Sequence, residues 1–366
     1  MAAVLHPPAA GGMKRRILDE YYAVNTSHNG SGQGAFGSVY ILTPRSGGVD
    51  VVGKEFKSPN AATIMAEQEA RMIKSVGPHP NIIVMFDAFR APQLNRPDYE
   101  YLVLEKASCD IAHVLLQRKG GLAEPEVRHI MRMLLKATVH MHGKGVVHCD
   151  LKPANLVMMD NHADLVVTDE TIIKVVDFGL ARQLDKVGAS YNDASHQKSR
   201  VVTKPYRAPE VHMGARLNSD TCVYGRPIDM WSIGCIFAEL FNGKVLFRGE
   251  VSSMNRTRHL KPGTAACFMV EIINLVGAPP DAWKEWGKMM PIDFDGTIQG
   301  DYPTQMFHVC EGIRSLTPFE RQAQMKRIAP SMDDSACELL ANMLDPSPAT
   351  RITAAKALEH AWMNRR

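Results

Sequence analysis

The chain has 366 residues, 45% hydrophobic and 22% charged, a balance that excludes wholesale disorder and suits one large two-lobed domain or two ordinary ones. A net charge of +3 is too small to argue for a nucleic-acid partner. The seven cysteines are odd in number and form no CxxC pair, so they read as reduced thiols, and no apolar run reaches the length of a membrane span. Met1–Gly12 lacks a charged-then-apolar signal pattern, so a cytoplasmic or nuclear setting with no membrane partner is expected.

Residues 1–20, rich in Ala, Gly and Pro, read as a flexible leader. From about Tyr22 to Leu104 the text is strand-like, with β-branched or aromatic runs at Ser38–Leu42, Val49–Phe56, Ile82–Ala88 and Tyr99–Leu104. One helix interrupts them, Ala61–Val76, its apolar stripe formed by Ile64, Met65, Met72, Ile73 and Val76. After Leu104 the character turns helical: Glu124–Met141 opens with Pro125 in its first turn, Asp229–Phe241 and Ala265–Val276 read as buried helices, and Asp333–Leu344 and Ala354–Trp362 follow. The predicted architecture is α+β. A small β-rich lobe over residues 21–104 carries one key helix, residues 105–108 cross over, and a larger helical lobe spans residues 109–363.

The densest chemistry is His148-Cys149-Asp150-Leu151-Lys152-Pro153-Ala154-Asn155, followed by Asp177-Phe178-Gly179. Asp150 is a carboxylate able to orient and deprotonate a hydroxyl, Lys152 a cation for a transferring phosphoryl group, and Asn155 and Asp177 are oxygen ligands for Mg²⁺. Upstream, Gly32-Gln33-Gly34-Ala35-Phe36-Gly37-Ser38-Val39 is a Gly-rich loop whose amides could approach phosphates. A strand follows it where a dinucleotide-binding fold would need a helix, and Lys54 stands where that fold would need an acid. Lys54 ends a strand-like run, Val51–Lys54, and calls for a carboxylate on the next helix. Glu67 and Glu69 compete; Glu69 shares its helix face with apolar Ile73, whereas Glu67 is followed four residues on by Arg71, so Glu69 is preferred. Ala208-Pro209-Glu210 and Arg351 offer a carboxylate and its guanidinium partner, and Asp229 stands at a helix start able to receive backbone amides.

In this order the motifs resemble those of a eukaryotic protein kinase, over about Tyr22–Met363. Lys152, and Thr203 ahead of Tyr206–Glu210, are similar to the serine/threonine branch. Tyr206-Arg207, Leu180-Ala181-Arg182 and Asp229–Leu240 resemble the CMGC group, with features of both cyclin-dependent and MAP kinases. The resemblance implies ATP and Mg²⁺, a protein substrate with a Ser or Thr acceptor, and room for an activating partner. It also implies adenine between Val39 and Val157, backbone hydrogen bonds from Glu105–Ala107, and Leu104 guarding the back of the pocket. A kinase-fold scaffold acting by partner binding is the rival; intact Lys54, Asp150, Asn155 and Asp177 argue against it.

The departures from the family pattern carry expectations of their own. Gly53 is read as replacing an Ala over the adenine, and Pro205 replaces an aromatic before Tyr206, which puts proline preference in question. Segments Asp160–Glu170, Ala215–Gly225 and Glu250–Ala266 read as solvated insertions, and Trp286–Arg327 as an extended segment. Cys149 is expected to be a buried, inert thiol, and Cys109 an exposed one beside the pocket. In related kinases three arginines bind a phosphate on the activation segment; here those positions read Cys149, Gln68 and Arg182. The usual phospho-acceptor positions read Lys198 and Arg200, so activity without phosphorylation of that segment is expected.

Overall fold

A computed structural model of the chain describes residues 21–24, 33–34, 37–56, 62–93, 96–159, 165–184, 202–213, 225–250, 262–277 and 315–365. The leader, Gly32, Ala35, Phe36, Lys198, Arg200 and most of the three insertions and the extended segment, taken together, lie outside them.

The N-terminal lobe is an antiparallel six-stranded sheet. Its strands are β1 (Tyr22–Val24), β2 (Gln33–Gly34), β3 (Gly37–Pro44), β4 (Val51–Phe56), β5 (Met85–Gln93) and β6 (Arg96–Glu105). They lie in the order β1-β3-β4-β6-β5, with β2 against β3. Register and period-2 alternation sort the side chains. Val39, Lys54 and Leu102 are paired, as are Ile41, Val52 and Leu104, while Tyr40, Gly53 and Val103 alternate to the opposite face. There Leu42, Val51, Phe89, Tyr101 and Val103 form a small separate core.

This alternation corrects the reading of Gly53. It faces that outer core, where an added Cβ would come within 2.7 Å of the Leu42 side chain. Val52, not Gly53, is the residue on the Lys54 face, so that face has not lost a methyl at Gly53. Two strand boundaries also shift. Exposed Val49 precedes β4, and Ile82 makes only an isolated bridge to Val175 before β5 begins at Met85.

Helix α1 (Ala62–Val76) turns Ala66, Glu69, Ala70, Met72, Ile73 and Val76 inward, as helical spacing requires. Ile64, expected in that stripe, is 64% exposed and lies off it. Residues 106–108 lead from β6 to β7 (Cys109–Asp110), and the C-terminal lobe then builds on α2 (Ile111–Gln117) and α3 (Glu124–Gly143). The first turn of α3 is secured by Glu126, whose Oε2 accepts the Ala123 amide at 2.9 Å, with Pro125 needing no partner for its nitrogen. Short ladders present the motif loops: β8 (Val146–Val147) pairs with β11 (Arg182–Gln183), and β9 (Leu156–Met158) lies between β10 (Ile173–Val175) and β7.

Further on come α4 (Pro209–Met213), α5 (Arg226–Asn242), α6 (Ala265–Val276), α7 (Pro318–Ile328), α8 (Asp334–Met343) and α9 (Ala354–Glu359). Buried from Ile228 to Phe241 on every face, α5 is the central helix of this lobe. It starts three residues before Asp229, so Asp229 lies in its first turns and does not cap it. Gly121 lets a loop press on its end: a Cβ there would stand 2.1 Å from the Phe241 carbonyl oxygen. No helix among the described residues is long and apolar enough to cross a membrane.

Arg351, whose side chain is fully buried, bridges Glu210 bidentately (Nη1–Oε1 2.6 Å, Nη2–Oε2 3.0 Å). It also donates to the carbonyls of Pro227 and Asp345 and lies over the Trp231 ring. This places the Glu210–Arg351 pair together, as the sequence suggested, and locks α4 to α5. Glu210→Ala would leave the guanidinium buried without its counter-charge, and is expected to cost about 3–5 kcal/mol in urea-induced unfolding. A cost below 1 kcal/mol would show the pair to be dispensable.

Candidate active site

Lys54, from β4, reaches across to α1 and to the turn after β10. Its Nζ lies 2.9 and 2.7 Å from the two carboxylate oxygens of Glu69 and 2.7 Å from Asp177 Oδ1. Glu69 is the helix partner; Glu67 faces outward. Burial by itself would lower the Lys54 pKa, but the two carboxylates raise it well above the ordinary value, so it stays an ammonium. Burial likewise pushes Asp177 up, and Lys54 more than offsets this, holding the carboxyl below its usual range. Glu69 is pushed up by burial and drawn back by Lys54 and by the Phe178 amide.

The catalytic-loop candidates converge on Asp150. Its Oδ1 accepts from the Thr203 amide (2.9 Å) and hydroxyl (2.7 Å), and its Oδ2 accepts from Lys152 Nζ (2.7 Å). Lys152 also donates to Thr203 Oγ1 at 3.0 Å, closing a ring of three side chains. Asn155 Nδ2 donates to the Asp150 carbonyl at 2.8 Å, which leaves the amide oxygen as the end available to a cation. His148 fixes the turn: Nδ1 accepts the Asp150 amide (3.2 Å), so Nε2 carries the proton donated to the Val176 carbonyl (3.0 Å). His148 packs edge-on against Phe178, tying the loop to the Asp177 segment. Asp177 and Asn155 are thus an ionised carboxylate and an oriented amide oxygen, a hard donor set that fits Mg²⁺ shared with phosphate oxygens. Among the described residues no cluster of His, Cys, Asp and Glu suggests a different metal.

Asp229 receives backbone amides, as the sequence suggested, but from the catalytic loop. Its Oδ2 accepts His148 N (2.9 Å) and His142 Nε2 (2.9 Å), and its Oδ1 accepts Cys149 N (3.0 Å). Cys149 itself has φ 64° and is buried, as expected, and burial raises its thiol well above the ordinary range. Cys109 is corrected: it is half-buried with its sulfur 4.0 Å from Met158, and burial raises its pKa.

The residues assigned to adenine fall on the two lobes. Val39 and Leu104 lie on the Lys54 face of the upper sheet; half-buried Val157 comes from β9, and half-buried Ala107 from the connector. The Glu105 carboxylate braces that connector, accepting Val84 N (2.7 Å) and Lys174 Nζ (2.5 Å). Of the Gly-rich loop, Gln33 and Gly34 pair with Ser38 and Gly37; Gly32, Ala35 and Phe36 lie outside the described residues.

Of the positions aligned with a phosphate receptor, Cys149 is buried, and Gln68 Nε2 donates to the Gly179 carbonyl at 3.0 Å. Arg182 Nη1 donates to the carbonyls of Leu180 and Ala181, each at 3.0 Å. Two contributors escaped the sequence reading. One is the Gln68 amide as a donor. The other is Val202, held at φ 66° while Arg207 Nε and Nη2 take its carbonyl at 3.0 and 2.7 Å. The Gly after Asp177-Phe offered a weak pointer to the first; nothing local marks a valine for the left-handed region.

Comparison with known proteins agrees with this geometry. The protein kinase domain family model matches residues 26–363. A Trypanosoma brucei brucei cell division control protein 2 homolog 3 is 32% identical over 91% of this chain and 89% of its own length. Mouse mitogen-activated protein kinase 12 is 29% identical over 97% of this chain and 83% of its own, and pig cyclin-dependent kinase 4 is 28% identical over 91% and 94%. The chain belongs to the protein kinase family, and its relatives are the cyclin-dependent and MAP kinases of the CMGC group.

Burial pushes the Asp229 carboxyl up, but His142, His148 and the amides it receives bring it below the ordinary aspartate value. A carboxyl with a depressed folded-state pKa stabilises fully above the unfolded value of about 4 and loses that contribution as acid protonates the folded group. Asp229→Asn is expected to remove about 3 kcal/mol at pH 7 and to flatten the loss of stability on acidification below about pH 4. Equal stability of the two proteins at pH 7 would refute this account of the loop.

Proposed function

We propose that the chain is a serine/threonine protein kinase that transfers the γ-phosphoryl group of ATP to a protein hydroxyl. The observation that carries this reading is the Asp150–Lys152–Thr203 ring. It sets a base, a cation and an exchangeable hydroxyl contact at one point, close enough for Lys152 to help lower the Asp177 pKa.

In this reading the acceptor hydroxyl displaces the Thr203 contact and hydrogen-bonds to Asp150. As its oxygen bonds to the γ-phosphorus, the bond to the bridging oxygen of ADP breaks and the hydroxyl proton passes to Asp150. Lys152 sits where charge develops on the transferring group, and Lys54, fixed by Glu69, orients the remaining phosphates. Asp177 and Asn155 would hold Mg²⁺, which when bound neutralises phosphate charge. The joint presence of these groups at bonding distance supports an enzyme over a scaffold.

The surroundings of Thr203 support a finer reading. Val202 is β-branched, and its left-handed backbone is costly, of order 1–3 kcal/mol. Arg207 stabilises it by occupying its carbonyl. In this reading, a substrate whose acceptor meets Asp150 beside Thr203 would place its next residue near Val202. An N–H there would find its acceptor taken, whereas proline has no N–H to satisfy. The arrangement favours proline after the acceptor despite Pro205 in the aromatic position. The neutral Cys149 and the committed Gln68 and Arg182 side chains further support activity without phosphate on the activation segment.

Two measurements test these readings on phosphatase-treated protein. Wild-type protein should phosphorylate a Ser-Pro peptide from MgATP, and Asp150→Asn should lower turnover roughly 10²–10⁴-fold with nucleotide binding nearly unchanged. Equal turnover of the two would remove the enzyme reading, and recovery of activity only after rephosphorylation would remove the phosphate-independent one. Replacing Ser-Pro by Ser-Ala should lower kcat/KM about tenfold, the cost of one unsatisfied N–H. Indifference to that change would discard the role given to Val202.

A further inference from the structure

Gln68 and Glu69 are successive residues of α1, yet they grip one three-residue segment from two sides. Glu69 holds Lys54, which holds Asp177, and it also receives the Phe178 amide. Gln68 donates to the carbonyl of the next residue, Gly179. The side chains of neighbouring helical residues diverge by about 100°, so one rigid shift of the helix loosens both contacts at once. The segment needs such a grip because Asp177 is held at φ 64° and ψ 70°, a left-handed conformation that a non-glycine residue keeps only when its surroundings over-determine it.

Lys54 grips the Asp177 end by an ion pair; at the Gly179 end a charge cluster around a phosphate could have added to it, but two of its three cation positions hold no cation. Cys149 is a buried thiol, and Arg182 donates to the carbonyls of Leu180 and Ala181. The neutral amide of Gln68 therefore does locally what a charge cluster would do through a phosphate. It also needs no modification to form.

We propose that Gln68 is a positioning residue that holds Asp177-Phe178-Gly179 in its metal-presenting conformation by donating a hydrogen bond to the Gly179 carbonyl. This rests on the kinase reading for its meaning, though not for its test. The requirement is for a donor: a side chain of similar length that can donate satisfies it, and an isosteric apolar one does not. Gln68 is half-buried on a helix surface, so leucine, alanine and lysine are all compatible with the helix.

The test compares wild type, Gln68→Leu and Gln68→Lys by hydrogen exchange of the backbone amides of residues 178–181, with the thermal midpoint as a control. Gln68→Leu should exchange roughly fivefold faster than wild type there, the effect of one lost hydrogen bond, and Gln68→Lys should stay within twofold of wild type. Should Gln68→Leu fail to fold, Gln68→Ala carries the same expectation. Wild-type protection in the apolar variant, or loss of protection in Gln68→Lys equal to that in the apolar variant, would overturn the proposal. Turnover on the peptide is measured in parallel. There Gln68→Leu should lower kcat by a similar factor with little change in KM for ATP, and Gln68→Lys should restore it. Because exchange needs no catalysis, inactive wild-type protein would reject the kinase reading while the exchange result still decides the role of Gln68.

Discussion

The ammonium of Lys54, shared between Glu69 and Asp177, is the constraint on which the arrangement of the lobes depends. It joins a strand of the upper sheet, helix α1 and the turn after β10. Each of the three groups is unfavourable alone: burial pushes the lysine toward the neutral amine and both carboxyls toward the acid. Only in each other's field do they remain charged. Removing any one leaves a buried charge without compensation, so the position of α1 and the conformation of Asp177-Phe178-Gly179 are not independent variables.

Around this cluster the backbone is bent into conformations that side chains resist. Four described non-glycine residues have positive φ, and three of them, Cys149, Asp177 and Val202, border the site. Each is held by a polar group that captures a neighbouring or its own peptide unit. Asp229 takes the amides of His148 and Cys149, Arg207 takes the carbonyl of Val202, and α1 takes Phe178 and Gly179 from both sides. Strain of this kind persists only under over-determination, so buried Asp229 and Arg207 are the physical reason that Asp150 and Thr203 can meet.

What the sequence revealed follows from the range of the physics involved. Glu69 was separable from Glu67 because helical periodicity is local: the residue four positions on, Ile73, is buried with it. The Glu210–Arg351 pair and the Asp150–Asn155 loop were legible because their chemistry requires those residue types. Motif likeness alone points to Gly53, whereas period-2 alternation puts Val52, two residues from Lys54, on the Lys54 face. Ile64 suits the apolar stripe by residue type, but its angular position on α1 does not join it. The left-handed Val202 and the Gln68 donor were not legible, because each depends on a partner brought close only by the tertiary fold.

The replacement of arginine by Cys149 is coherent with the rest of this electrostatic design. Three cations converging on one point repel each other and gain from an anion placed among them, which is why a phosphate can order such a site. With Cys149 and Gln68 in two of the positions, that repulsion is gone and the incentive to recruit an anion is gone with it. A phosphate arriving here would meet Arg182, whose guanidinium already donates to two carbonyls, and would have to compete with those bonds. In the phosphate-independent reading proposed above, a contact that forms whenever α1 packs stands where related kinases use one that exists only after modification. On that reading control through the activation segment is given up, and the Asp177 segment takes its geometry from folding itself.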